Sequence, residues 1–215
     1  MNHNLRILVS GATATVARLA ATPELACNLG VLLTPHDGQS MDSVLATGLP
    51  WACDNAAYSH WCGEAFRKLL HKSAGHERCL WVAAPDVVGD HEATVERFHK
   101  WLPTIQSVAG QPVAFVGQDG CDEDSVPWDE IAAYFVGGTT SWKLSPESSL
   151  LMRAAARRGK HVHVGRVNSH DRLQWAFERG AHSIDGTSFS RYADTYIARA
   201  IRKLQGWEAQ RMLFV

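Results

Sequence analysis

Three aspartates recur at one kind of position in this chain. Asp54 in CDNAAY, Asp86 in APDVVGD and Asp185 in SIDGTS each close a short apolar run. Carboxylates are poor strand residues and are seldom buried without a partner. Taken singly, an aspartate after a strand is usually a helix cap or an Asx-turn, and a Gly-Gly is usually a turn. Recurrence points elsewhere. Gln118 and Asp119 in VGQDG, Gly137 and Gly138 in VGGTTSWK, and Arg166 in HVGRV occupy equivalent places. Carboxylates that converge with an amide and an exposed backbone can do covalent or acid/base chemistry, one holding charge while another moves a proton.

The elements that would position these residues alternate along the chain. Candidate strands are 5–10, 30–34, 49–53, 79–84, 113–117, 133–137, 161–165 and 182–185, several of them almost continuously apolar, as strands covered on both faces are. Helical patterns lie between them. SPESSLLMRAAARRG has Ser145 as N-cap, Pro146 at the first helical position and Gly159 past the end. NSHDRLQWAFERG repeats that logic, with Asn168 or Ser169 as cap and Gly180 as stop. Eight such units predict a (β/α)8 barrel in a single domain over residues 1–215, with a doubly wound open sheet as the other arrangement. A barrel places the listed polar residues at the C-terminal ends of its strands, where barrel chemistry sits.

Composition bounds the rest. Apolar residues make up 46 % and charged residues 20 % of 215, ordinary for a globular chain. No apolar run reaches the ~18 residues of a membrane span. The opening MNHNLRILVSG lacks the order of a secretory signal, and five cysteines without a CxxC pair read as reduced thiols, which together predict a cytoplasmic protein. Net charge is −1, yet residues 151–215 hold 12 Lys+Arg against 5 Asp+Glu. That basic third either meets a polyanion or lines exposed helix faces.

The motifs CDNAAYSHW, APDVVGD, VAFVGQDG, YFVGGTTSWK, HVHVGRV and GAHSIDGTSFSR resemble, in order and spacing, the tRNA-guanine transglycosylase superfamily. The resemblance is closest to the DpdA-type 7-deazaguanine DNA transglycosylases of phages and bacterial islands, and covers roughly residues 49–191. It implies a glycosyltransferase that replaces guanine in DNA with a base such as 7-cyano-7-deazaguanine, through a covalent aspartyl intermediate. Asp185 becomes the nucleophile and Asp54 the general acid/base. Asp86, Gln118, Gly137 and Gly138 become the base-reading groups. Tyr58, Trp142 and Phe189 are candidates for stacking on a flipped base, with Arg166 at the same mouth. Arg153, Arg157, Arg158, Lys160 and Arg191 could then hold phosphates. The zinc-binding segment of the tRNA enzymes is missing, so neither metal nor cofactor is expected and DNA is favoured over tRNA. A tRNA-guanine transglycosylase and an N-glycosidic hydrolase on the same barrel are the alternatives.

Three other classes compete. HVH at 161–163, with Asp185, could ligate a metal in a barrel hydrolase. ILVSGATATVARLA resembles the start of a dinucleotide fingerprint, but Ala14 and Ala17 replace two required glycines. A non-catalytic nucleic-acid-binding module gains nothing from carboxylates near phosphates.

Overall fold

Strands that are apolar at nearly every position need cover on both faces, and a closed parallel sheet ringed by helices supplies it. The computed structural model describes residues 4–212, so the first and last three residues of the 1–215 domain, and part of the opening segment read above, lie outside the described residues. Its first half runs β1 (Arg6–Val9), α1 (Thr13–Ala20), α2 (Pro23–Ala26), β2 (Leu29–Leu33), α3 (Met41–Leu45), β3 (Trp51–Cys53), α4 (Ala57–His60), α5 (Gly63–Ser73) and β4 (Cys79–Ala83). The second half runs α6 (His91–Val108), β5 (Val113–Gly117), β6 (Ala133–Val136), α7 (Thr140–Lys143), α8 (Pro146–Arg157), β7 (His161–Val164), α9 (His170–Glu178), β8 (Ser183–Ile184), α10 (Thr187–Arg191) and α11 (Ala193–Met212). Each strand pairs in parallel with the next, and β1 pairs with β8, which closes the (β/α)8 barrel and rules out the open sheet.

Alternation along the strands sorts side chains into two layers. Leu8, Leu32, Ala52, Trp81, Ala83, Ala114, Val116, Ala133 and Phe135 fill the barrel interior. The strand residues that point the other way, among them Val9, Val82, Tyr134, Val162, Val164 and Ile184, pack in a larger layer against the helices. The interior position on β7 that would carry another apolar residue carries His163. Its ring lies 4.4 Å from Phe135 and 4.6 Å from Trp81 by centroid.

Local signals fix the helix starts. Ser145 accepts from the Ser148 amide and Pro146 opens α8, and Ser169, not Asn168, caps α9 through the Arg172 amide. Asn168 instead accepts from the Ser188 amide. Because α8 ends where β7 begins, Arg157, Arg158 and Lys160 lie at the N-terminal face of the barrel, opposite the mouth. Arg157 and Arg158 pair there with Glu123 at 3.7 and 2.8 Å, and Lys160 donates to the Ile131 carbonyl at 2.8 Å. The basic C-terminal third is therefore spread over helix faces and both barrel ends.

Candidate active site

The mouth is built from the residues that follow β3, β4, β5, β6, β7 and β8. Asp54, Asp86, Gln118, Gly137, Gly138, Tyr58, Arg166 and Asp185 all line one cavity of ≈ 70 Å³, with Val88, Val116 and Phe135 as its apolar walls.

Asp185 projects inward because Ile184 before it faces the helices. One carboxylate oxygen accepts from His163 Nε2 at 3.0 Å and the other from the Arg166 amide at 3.1 Å. Burial works to raise its pKa, but the His163 hydrogen bond, the Arg166 amide and the Lys143 charge together hold it below the ordinary carboxylate value. His163 is fully buried, which pushes its own pKa down and leaves it a neutral donor rather than an ion-pair partner.

Asp54 behaves in the opposite way. Its carboxylate accepts from the Asn55 amide at 2.8 Å. Burial, then the charges of Asp185 and Asp86, push its pKa up to about 7. Asp86 is only 5 % exposed. Its two oxygens accept from Asn55 Nδ2 at 2.8 Å and Gln118 Nε2 at 2.7 Å. Burial raises it to about 6 against the pull of Asn55, Arg97 and Arg166. The Gln118 carbonyl in turn accepts from the Gly89 and Gly138 amides at 2.9 and 3.0 Å. The Gln118 side-chain amide and the Gly138 N–H are thus engaged within the protein, and the cavity presents mainly carboxylate acceptors.

The backbone at the mouth is strained where this arrangement demands it. Ala56 and Arg166 adopt positive φ of 59° and 60°, a sparsely populated region for residues with a Cβ. Gly138 has φ +67°, and a Cβ there would meet the Trp142 ring and the Asp119 carboxylate. Gly165 faces Asp185: a Cβ would sit 2.6 Å from the Phe135 ring and 3.2 Å from Asp185 Oδ2. Gly186, directly after Asp185, is required instead by the Val167 carbonyl, which a Cβ would approach to 2.3 Å.

Arg166 roofs the cavity. Its guanidinium bonds the Gly138 carbonyl and lies 4.0 Å over the ring of Tyr58, itself 67 % exposed. Trp142 packs beside Gly138, while Phe189 is fully buried against Tyr196 and does not line the cavity. Asp119 is tied to Thr139, accepting from its amide at 2.7 Å and its hydroxyl at 2.5 Å.

Asn55 and Lys143, which had no assigned role in the sequence, matter here, and His163 enters in a role other than metal ligation. Asn55 links Asp54 to Asp86, His163 supports Asp185, and the Lys143 charge acts on Asp185. Lys143 is 3 % exposed, donates to the Gly165 carbonyl, and is pushed down to about 7 by burial and by Arg166 against the attraction of Asp185. Its position in a short helix directly after the Gly-Gly turn was the available signal.

Of the residues expected to hold phosphates, Arg157, Arg158 and Lys160 are on the far face and engaged there, and Arg153 and Arg191 are exposed on separate helices, while Arg166 lines the mouth. The metal-site expectation fails on geometry. His163 Nδ1 and His161 Nε2 both bond the Ser183 hydroxyl, and among the described residues no group of three His, Cys, Asp or Glu could hold a metal ion.

No family model and no curated protein matches the chain. Solved structures do. A mandelate oxidase variant with a monooxide FMN adduct shares 15 % identity, with 94 % of this chain and 74 % of that one covered at TM-score 0.56. The variant with (S)-mandelic acid shares 15 %, covering 94 % and 73 % at 0.57. Mandelate oxidase with 3,3-difluoro-2-hydroxy-3-phenylpropionic acid shares 15 %, covering 95 % and 71 % at 0.58. At that identity the likeness establishes the barrel. It also corrects the transglycosylase resemblance. The neighbours are oxidases of small molecules, and neither guanine exchange, a glycosyltransferase, DNA or 7-deazaguanine partners, nor the tRNA, N-glycosidic and metal-hydrolase alternatives find support among them. The physical reason is plain. Glycine and aspartate turns recur at strand ends in any parallel barrel, at a spacing set by the repeating βα unit.

Proposed function

We propose that the mouth is the active site of an enzyme that moves a proton on a small molecule rich in hydrogen-bond donors, such as an amine or amidine. One observation carries this reading: Asp54, raised to about 7, shares a cavity with Asp185, held low by its partners. Two carboxylates whose environments separate their pKa values divide into a proton carrier and a fixed charge. Asp54 takes or gives the proton near neutral pH. Asp185 rests ionised and stabilises positive charge on the substrate. Asp86 adds a third acceptor, and Arg166 over Tyr58 closes the cavity.

FMN, present in a neighbour, does not fit these residues. Its phosphate would meet three carboxylates, while the Gly138 and Thr139 amides that could cradle an anion already donate to Gln118 and Asp119. The cavity of ≈ 70 Å³ is also well below the ~300 Å³ or more usual for a drug-sized ligand.

Among the described residues no helix is long and apolar enough to cross a membrane. All five cysteines are free, and burial raises those of Cys53, Cys79 and Cys121, which supports a reducing cytoplasmic setting.

Amide NMR mapping tests the reading with methylguanidine and imidazole against mandelate and FMN. We expect the donors to perturb Gly138, Gly165 and Arg166, with the effect lost in Asp185→Asn and weakened as pH falls below 7. Preferential binding of mandelate or FMN at the mouth would overturn it.

A further inference from the structure

We propose that His161, Ser183 and His163 form a proton relay through the barrel interior, joining Asp185 at the mouth to the opposite face. The chain of contacts is continuous. His161 Nε2 lies 2.7 Å from Ser183 Oγ, Ser183 Oγ lies 2.8 Å from His163 Nδ1, and His163 Nε2 lies 3.0 Å from Asp185 Oδ2. His163 and Ser183 are fully buried, so no solvent interrupts the path between them. His161 is half-buried at the start of β7. It lines a recess of ≈ 380 Å³ on the N-terminal face with Arg6, Lys160 and His182.

Hydrogen-bond counting sets the direction. A hydroxyl has one proton to donate, and a neutral imidazole has one donor and one acceptor nitrogen. Ionised Asp185 can only accept, so His163 donates from Nε2 and its Nδ1 must accept. Ser183 therefore spends its single proton on His163, and His161 must donate from Nε2. A proton arriving at His161 Nδ1 makes that ring cationic. Its Nε2 proton passes to Ser183, the Ser183 proton passes to His163 Nδ1, and the His163 Nε2 proton passes to Asp185. One proton enters at the far face and one appears transiently on the carboxylate, whose resting form is the ionised one, with every other group neutral before and after.

His161 faces His182 at 5.2 Å by centroid, with Arg6 and Lys160 in the same recess. His163 faces Asp185 and the Lys143 charge, and is enclosed by the rings of Trp81 and Phe135. The alternative use of the HVH motif, as metal ligands, is consumed by these same bonds.

The inference rests on the reading of Asp185 as the ionised carboxylate of the site, and its test needs no substrate. Long-range ¹H–¹⁵N NMR of ¹⁵N-histidine-labelled protein reads the tautomer of each ring. We expect His161 and His163 both as Nε2–H tautomers at pH 8. We also expect the His161 titration midpoint to move in Asp185→Asn, and that movement to vanish when Ser183→Ala is added. An Nδ1–H tautomer at either ring in the unmutated protein would overturn the relay. So would an unmoved midpoint, or a movement that survives Ser183→Ala undiminished, which marks a simple field effect.

Discussion

The two sides of the mouth hold their carboxylates by different means. Asp86, after β4, is gripped by the carboxamides of Asn55 and Gln118, neither of which titrates. Asp185, after β8, is held by His163 and the Arg166 amide and feels the Lys143 charge, so two of its neighbours can change protonation. The first side fixes shape. The second can respond to protons. Asp54 lies between them, and burial first, then both charges, bring its pKa up to about 7.

Breaking the rigid side produces the largest effect. Asp86→Ala orphans two buried amide donors, each worth ~1–3 kcal/mol, so we expect a loss of roughly 2–5 kcal/mol in urea unfolding. Asp185→Ala loses less, about 1–2 kcal/mol, because its side chain is 19 % exposed and its removal orphans one buried side-chain donor, His163, rather than two. Equal losses would erase the distinction between the two sides.

The pH dependence of stability is the next effect. A carboxyl raised in the fold binds more protons there than in the unfolded chain, so stability falls as pH rises from the unfolded value of about 4 through the folded one. Asp54 and Asp86, at about 7 and about 6, both act this way. Asp185, held low, acts oppositely: its contribution is full above the unfolded value and is lost as pH falls through its folded one. Asp54→Asn should therefore flatten the decline between pH 4 and 7, by up to about 1.4 kcal/mol per pH unit. Chemical denaturation at stepped pH measures it, and an unchanged slope removes Asp54 as the titrating group.

The smallest effect concerns the roof. Tyr58→Ala removes the ring under Arg166. At such exposure we expect a stability change of about 0.5–1 kcal/mol, with faster exchange of the Arg166 guanidinium protons by NMR.

Much of the scaffold is legible in the chain. The strand runs at 113–117 and 133–137 coincide with β5 and β6 to within a residue, and Ser145-Pro146 marks the start of α8. Fully covered strands must be apolar throughout, and caps act locally, so both leave marks in consecutive residues. The convergence of Asp54, Asp86, Gln118 and Asp185 is legible for a related reason: a barrel puts every strand end at one rim. What each polar group bonds is not. Gln118 turns toward Asp86 rather than outward, and His163 joins Asp185 across neighbouring strands, because side-chain partners are set by packing in three dimensions. Arg157, Arg158 and Lys160 add to a local charge run yet stand at the wrong end, since a run of charge in sequence carries no information about which face it joins. The family motifs misled for the same reason that the barrel was readable, both arising from the βα repeat.

The central claim is that the mouth separates two carboxylates into a proton carrier and a fixed charge. The direct measurement is a carboxyl ¹³C NMR titration of aspartate-labelled protein, with Asp54→Asn and Asp185→Asn to assign the signals. The account predicts that Asp54 titrates at about 7 and that Asp185 remains ionised below the ordinary carboxylate value. Asp54 titrating near 4, or Asp185 resting protonated at equilibrium near neutral pH, would contradict it.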